Sequence, residues 1–251
     1  MIASLPMYDR AETAAANDAL WDGIRRGLGH GPETLTRGGD LWDQWQSPDL
    51  VFSQTCGFPY RARLHGRVTL IGAPDYGLPG CPPGYYNSVF VARSDDPRKT
   101  LADFAGAPFA FNEPLSQSGW AAPHSHAAGL GMTLSPALKS GGHLFSARAV
   151  AEGHADLAAL DALSWKLMQR HDAFAADLRE ITRTEPTPAL PYIAAPGAKR
   201  DALFAATTAA IDALDGAHRS ALSLRGLVDI PAQDYLAVPT PPAPVMTPVS
   251  G

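Results

Sequence analysis

The stretch "FNEPLSQSGWAAP" gathers small hydrogen-bonding residues where a predicted strand ends and a helix begins. Ser116, Gln117 and Ser118 supply hydroxyl and amide donors, and Gly119 lets the backbone approach a ligand closely. Amides in the first turn of a helix lack partners within the helix and carry the positive end of its dipole. The pattern indicates a site for an oxyanion such as phosphate, phosphonate or carboxylate. In the alternative interpretation, a serine before the helix is only an N-cap.

The bulk composition is that of a folded globular protein. The chain has 251 residues, of which 45% are hydrophobic and 18% charged, so it is long enough to bury a substantial core. A net charge of −5 argues against a broad nucleic-acid-binding surface. No stretch approaches the roughly 20 apolar residues that span a bilayer, so no membrane insertion is expected. The N-terminus "MIASLPMYDR" lacks the features of a signal peptide, which leaves a cytosolic protein or a processed export form.

Cys56 and Cys81 are the only cysteines, and both lie in Gly/Pro-rich surroundings. They are either two unrelated reduced thiols or a disulfide that closes a loop of about 25 residues. A disulfide requires an oxidising compartment. No cysteine or histidine stands at ligand spacing from either of them, so no metal site is expected. We expect no cofactor.

The order of the predicted elements places the helix start within an α/β fold. Apolar runs such as "DLVFSQT", "SVFVARS" and "PFAFN" predict strands, and helical patterns alternate with them, as in a parallel α/β sheet. Pro/Tyr/Gly clusters near 82–88 and 185–192 are candidate crossings between two lobes. We therefore expect a discontinuous lobe I (1–85 plus 186–240), a lobe II (86–185) and a Pro-rich extended tail (241–251), with a ligand cleft between the lobes.

Three motifs together resemble the solute-binding proteins of phosphate/phosphonate-type ABC transporters. They are "SQSG" at 116–119, "GGH" at 141–143 and "GHAD" at 153–156, with Asp161 beyond. The resemblance covers about residues 2–215. It implies a type II periplasmic-binding-protein fold, a small anionic solute, an ABC permease as partner and a periplasmic location.

The resemblance also implies roles for individual residues. Ser116, Gln117 and Ser118 would hold phosphoryl oxygens, and His143 would reach the same group. Asp161 would face the rest of the ligand, although it could instead cap the helix that begins near Ala162. Two departures bear on specificity: Gln117 stands where phosphonate binders often have Thr, and Trp120, which follows the glycine, could reshape the pocket.

Three further residues are candidates for ligand contact. Tyr8 ends the first predicted strand, Thr55 ends the strand "DLVFSQT", and Tyr86 lies at the first crossing. Each has a structural alternative, because Tyr8 and Tyr86 could simply be packed and Thr55 could cap a loop.

The predicted function is capture of an anionic solute by lobe closure, without chemistry, since no nucleophile is paired with a base by motif. The alternative is a cytosolic enzyme or sensor on the same fold, for example in cofactor biosynthesis, with His143 and Asp161 as acid/base candidates. A regulator is a weaker alternative, since no DNA-binding helix-turn-helix precedes the fold.

Overall fold

The structure is a computed structural model that describes residues 1–247. These residues form a mixed α/β structure, and their strands are grouped in two five-stranded sheets and one two-stranded sheet. The described strands are β1 (Ile2–Ser4), β2 (Leu50–Gln54), β3 (Thr69–Asp75), β4 (Tyr85–Tyr86), β5 (Ser88–Arg93), β6 (Pro108–Phe111), β7 (Ser135–Lys139), β8 (Leu157–Asp161), β9 (Leu178–Arg183), β10 (Thr187–Pro188), β11 (Tyr192–Ala194) and β12 (Gly226–Val228).

The helices vary from single turns to a helix of fifteen residues. The described α-helices are α1 (Ala14–Leu28), α2 (Leu41–Trp45), α3 (Gly57–Pro59), α4 (Ala122–Gly129), α5 (His143–Ala151), α6 (Ala162–His171), α7 (Arg200–Ala213), α8 (Gly216–Leu222) and α9 (Ala232–Leu236). Two π-helical turns, Tyr60–Leu64 and Gln117–Ala121, and two 3₁₀ turns, Leu101–Phe104 and Ala173–Asp177, complete the set.

The chain divides into two compact units. Unit 1 contains Met1–Tyr85 and Pro188–Ala237, and unit 2 contains Tyr86–Thr187 and the C-terminal segment from Val238. The chain therefore passes between the units after Tyr85, after Thr187 and after Ala237. Of the tail predicted at 241–251, residues 241–247 have no regular secondary structure and belong to unit 2, and residues 248–251 lie outside the described residues.

Unit 1 has a sheet of order β1-β2-β11-β3-β12. Strands β1 and β2 are parallel, whereas β11 runs antiparallel to both β2 and β3. The sheet is thus mixed, whereas the alternating pattern of strands and helices predicts a parallel sheet. The difference arises because β11 enters the sheet after the chain returns from unit 2, and it runs antiparallel to its neighbours. Helix α1 buries Leu20, Trp21 and Ile24, the apolar stripe visible in the sequence.

Unit 2 has a sheet of order β7-β6-β8-β5-β9. The neighbours β7, β6 and β8 are parallel, and β5 is antiparallel to β8 and β9. All five residues of β8 are buried, which explains its continuous apolar run "LAAL". Because parallel strands end at the same edge, the residues that follow β6, β7 and β8 are brought together there. This edge, which we call the unit 2 edge, carries the residues after Phe111, after Lys139 and around Asp161.

Cys56 and Cys81 are not joined by a disulfide in the structure. The Cys81 thiol instead lies 3.8 Å from the carbonyl oxygen of Pro79, to which it donates. Of the two interpretations of the cysteines, the structure shows two separate thiols.

Candidate anion-binding site

The turn Ser116–Gly119 follows β6 at the unit 2 edge and begins a helix. Ser116 is the N-cap: its hydroxyl oxygen accepts from the amide of Gly119 at 2.9 Å. A π-helical turn starts at Gln117 and continues directly into α4. The amides of Gln117 and Ser118 occupy first-turn positions, which have no partner within the helix. The N-cap role of Ser116 is therefore present, and the donors expected beside it come from the next two residues.

The side chains of this turn are buried. Ser116 is 6% exposed, and Gln117 and Ser118 are each 2% exposed. Buried hydroxyl and amide groups require hydrogen-bond partners, since water does not satisfy them. In a water-excluded setting, hydrogen bonds to a charged group are strengthened by the low local dielectric.

Ser118 and His143 meet at the unit 2 edge. His143 is the first residue of α5, after the "GG" turn that follows β7. Its Nε2 atom lies 2.9 Å from the Ser118 hydroxyl, so two residues that are 25 positions apart in sequence are paired. Burial lowers the pKa of His143 to about 4, an effect that the nearby Ala159 backbone only partly offsets. The imidazole is therefore neutral at physiological pH.

Asn112, which was not predicted from the sequence, is the third member of this group. Its Nδ2 atom lies 3.4 Å from His143 Nε2. Its Oδ1 atom is buried without a hydrogen-bond partner among the described residues. It directly follows β6, and a polar residue at the carboxyl end of a parallel strand is the sequence signal that could have identified it.

Gly119 makes room for a neighbouring side chain. An added Cβ would lie 1.9 Å from Asn112 Oδ1 and 2.8 Å from its Cγ. The space that the missing side chain leaves is thus filled by the carboxamide of Asn112. A larger residue at position 119 would have to displace this carboxamide.

Asp161 ends β8 and caps α6. Its Oδ1 atom accepts from the amide of Ser164 at 2.8 Å, and the residue is 2% exposed. The capping alternative is therefore realised. Asp161 is also paired in register with Ser88 of β5, so it lies at the unit 2 edge with the turn and His143.

Two other buried polar residues at the unit 2 edge were not selected from the sequence. Asn87 is 5% exposed and Ser88 is 1% exposed, and Asn87 Oδ1 and Ser88 Oγ have no hydrogen-bond partner among the described residues. The backbone carbonyl of Asn87 accepts from the amide of Ala162, which places it beside Asp161. Their signal in the sequence is the polar pair that precedes the apolar run "VFVA".

The remaining predicted contacts do not all lie in unit 2. Tyr86 belongs to unit 2, in β4, and is buried. Tyr8 and Thr55 lie in unit 1, after the parallel strands β1 and β2. The Tyr8 ring packs edge-to-face on Tyr76 at 5.3 Å, as its packing alternative predicts. Thr55 is fully buried, and its hydroxyl has no hydrogen-bond partner in the described part of the chain.

Trp120 connects the turn to the C-terminal segment. Its indole Nε1 donates to the carbonyl of Pro242 at 2.9 Å, and the residue is 3% exposed. Further along, the amide of Thr247 donates to the carbonyl of Pro136 at 2.6 Å, on the edge strand β7. Residues 238–247 thus lie along unit 2 and cover the indole that follows Gly119.

Removal of residues 238–251 should expose Trp120. We expect a red shift in the fluorescence of the truncated chain, because the indole loses its carbonyl partner and gains water contact. The same spectra are measured for Trp120→Phe in the full-length and in the truncated chain. Subtracting them at each length gives the difference spectrum of Trp120 alone, without the other tryptophans. Identical Trp120 difference spectra for the two lengths would contradict this contact.

Among residues 1–247, no group of three or more His, Cys, Asp or Glu side chains could hold a metal ion. Within the same range, no helix has both the length and the apolar character that crossing a membrane requires.

Several solved structures are similar to this chain. PhnD1 from Prochlorococcus marinus, in complex with methylphosphonate, matches with a TM-score of 0.71 and 15% identity over 93% of this chain and 94% of that chain. A binding protein component of an ABC phosphonate transporter from Pseudomonas aeruginosa matches with a TM-score of 0.66 and 15% identity, over 94% and 82% of the two chains. A Xanthomonas citri protein bound to ATP matches with a TM-score of 0.66 and 16% identity, over 94% of each chain.

At these identities the similarities establish the fold, which is that of the type II periplasmic binding proteins. No curated protein matches the chain. The family described as "ABC transporter, phosphonate, periplasmic substrate-binding protein" matches residues 48–235, which is most of the chain. The prediction of a solute-binding protein, rather than an enzyme on the same fold, is confirmed by this match. The chain belongs to the family of periplasmic substrate-binding proteins of phosphonate ABC transporters.

Proposed function

We propose that the turn Ser116–Gly119 binds the oxyanion group of a phosphonate- or phosphate-like solute, that His143 positions the Ser118 hydroxyl of this turn, and that the protein delivers the solute to an ABC permease. The observation that carries the proposal is the 2.9 Å pair between Ser118 Oγ and His143 Nε2 at the first turn of a helix. The Ser118 hydroxyl, held by His143, therefore lies at a helix start, the kind of position at which proteins bind anions.

The chemistry of the group favours an oxyanion over a cation or an apolar ligand. Hydroxyl and amide groups donate to anionic oxygens, and the dipole of the helix places partial positive charge at the same point. A tetrahedral group with three terminal oxygens can accept from several such donors at once. The complex of the Prochlorococcus protein with methylphosphonate makes this compound a suitable first probe.

The residues at the start of β5 and the end of β8 are proposed to face the remainder of the solute. Asn87 and Ser88 supply buried polar atoms without partners among the described residues, and Asp161 lies beside them. Tyr86, next to Asn87 in sequence, remains a proposed contact, as do Tyr8 and Thr55 of unit 1.

Ser118→Ala and His143→Ala should each weaken the binding of methylphosphonate about tenfold or more. Ser118→Ala removes a hydrogen bond to a charged group, and His143→Ala removes the side chain that fixes the position of the Ser118 hydroxyl. The measurement is isothermal titration calorimetry with methylphosphonate and, separately, with inorganic phosphate.

His154→Ala is the matched control, because His154 lies in the same unit and its side chain is 67% exposed. It should bind both probes as the unchanged protein does. If Ser118→Ala and His143→Ala also retained full affinity, the oxyanion would bind elsewhere.

A further inference from the structure

His143 Nε2 has two neighbours but can accept only one strong hydrogen bond. Ser118 Oγ lies at 2.9 Å and Asn112 Nδ2 at 3.4 Å. A carboxamide nitrogen only donates, so its contact requires Nε2 to be the acceptor of a neutral imidazole. The Ser118 hydroxyl, which is closer, then donates its single proton to the same atom.

This arrangement has a consequence for ligand binding. In the proposed function, Ser118 donates its proton to the oxyanion, and that proton must first leave His143. If no other donor replaced the Ser118 hydroxyl, His143 Nε2 would be buried without a hydrogen-bond partner, and this loss would oppose ligand binding. Asn112 already lies at 3.4 Å, close enough to take the place of the hydroxyl after a small movement.

We propose that Asn112 is a positioning residue, which donates to His143 Nε2 when Ser118 turns its hydroxyl to the oxyanion. The inference rests on the proposed function and extends it to a residue that no comparison assigns. Asn112 acts through its two neighbours and does not itself contact the ligand.

The surroundings of Asn112 hold it in place for this role. Its backbone carbonyl accepts from the amide of Gly141 at 3.0 Å, which ties it to the turn before His143. The carbonyl of the preceding Phe111 accepts from the amide of Ser140 at 2.9 Å. On the other side, the carboxamide oxygen packs against Gly119. One side chain therefore joins the start of α5 to the turn that carries Ser118.

A double-mutant cycle tests this dependence on Ser118. Asn112→Leu retains the branching and approximate volume of the side chain but removes its donors. We expect Asn112→Leu to weaken methylphosphonate binding about tenfold in the protein that retains Ser118. In the Ser118→Ala background, where no hydroxyl needs to be released, the same substitution should weaken binding less than twofold.

The outcomes separate this inference from the function on which it rests. Equal losses in both backgrounds would show that Asn112 acts independently of Ser118, and an Asn112→Leu variant with full affinity would also overturn the inference. If Ser118→Ala alone bound methylphosphonate normally, the proposed function would fail first. Thermal unfolding of each variant verifies that it is folded, and Asn112→Ala replaces Asn112→Leu in the cycle if the leucine variant is not.

Discussion

Replacing Gly119 with alanine should weaken methylphosphonate binding by about tenfold or more, with the protein still folded. The new Cβ would lie 1.9 Å from Asn112 Oδ1 and 3.2 Å from Ser116 Oγ. The carboxamide is the end of a side chain, so it can rotate away, and this limits the cost to stability. Its displacement removes Asn112 from His143, and the crowding disturbs the N-cap that holds the turn. Calorimetric titration of the purified variant measures the loss.

Gly129→Ala provides the matched control within the same unit. Gly129 is the last residue of α4, and an added Cβ there would meet no atom within 4 Å. Alanine is also the better helix former, so this substitution should leave affinity unchanged and stability unchanged or slightly higher. If the two variants bound methylphosphonate equally well, the contact between Asn112 and Gly119 would not matter for the site.

The second large effect is on stability. Asp96→Ala should destabilise the protein by about 2 kcal/mol at pH 7, because it leaves Arg98 without its closest partner. The Asp96 side chain is only 3% exposed and contacts Arg98 Nη2 at 2.5 Å. Arg98 also reaches Asp156 at 2.9 Å. The expected loss is smaller than that for a fully buried pair because the Arg98 side chain is 27% exposed. Urea unfolding measures it.

The same ion pair predicts the direction of the pH dependence. The hydrogen bonds from the Arg98 side chain lower the pKa of Asp96 to about 2, although burial opposes them. Because this pKa lies below the unfolded value of 3.8, the stabilisation is complete above about pH 4 and is lost as the pH falls through about 2. The difference in stability between the unchanged protein and Asp96→Ala should therefore shrink between pH 7 and pH 3.

Asp95→Ala is the control for the stability effect. The Asp95 side chain is 83% exposed and lies 3.6 Å from Arg93, so its removal should change stability by less than about 0.5 kcal/mol. A similar loss for Asp95→Ala and Asp96→Ala, or a difference that does not depend on pH, would contradict the role assigned to the buried pair.

The local elements of the fold could be predicted where one pattern dominates. The apolar run of β8 and the stripe Leu20, Trp21 and Ile24 of α1 identify a buried strand and an amphipathic helix directly. The strand β7 was missed, because "SPALK" contains a proline and lies at the edge of the sheet, where partial burial leaves no clear alternation. The antiparallel entry of β11 could not be predicted, since pairing depends on where the returning chain enters the sheet.

The candidate site shows the same division. The serines, the glycine and the helix start of the turn were visible in the sequence, and so was His143 beside two glycines. Asn112 was not, because nothing in "FNEP" indicates that its carboxamide will fill the space beside Gly119 and contact a histidine 31 positions away. The pairing of that histidine with Ser118 likewise depends on the parallel strands β6 and β7 ending side by side.

The sequence by itself determined which residues are donors, where helices and strands begin, and which family motifs the chain carries. These properties are local, because they depend on side-chain chemistry and on spacing within a few turns. The tertiary structure decided which of those donors meet, which serine is a cap, and why residue 119 is a glycine. Such choices depend on contacts between segments that are distant in the chain, and these contacts exist only once the sheet of unit 2 has brought the ends of its strands to one edge.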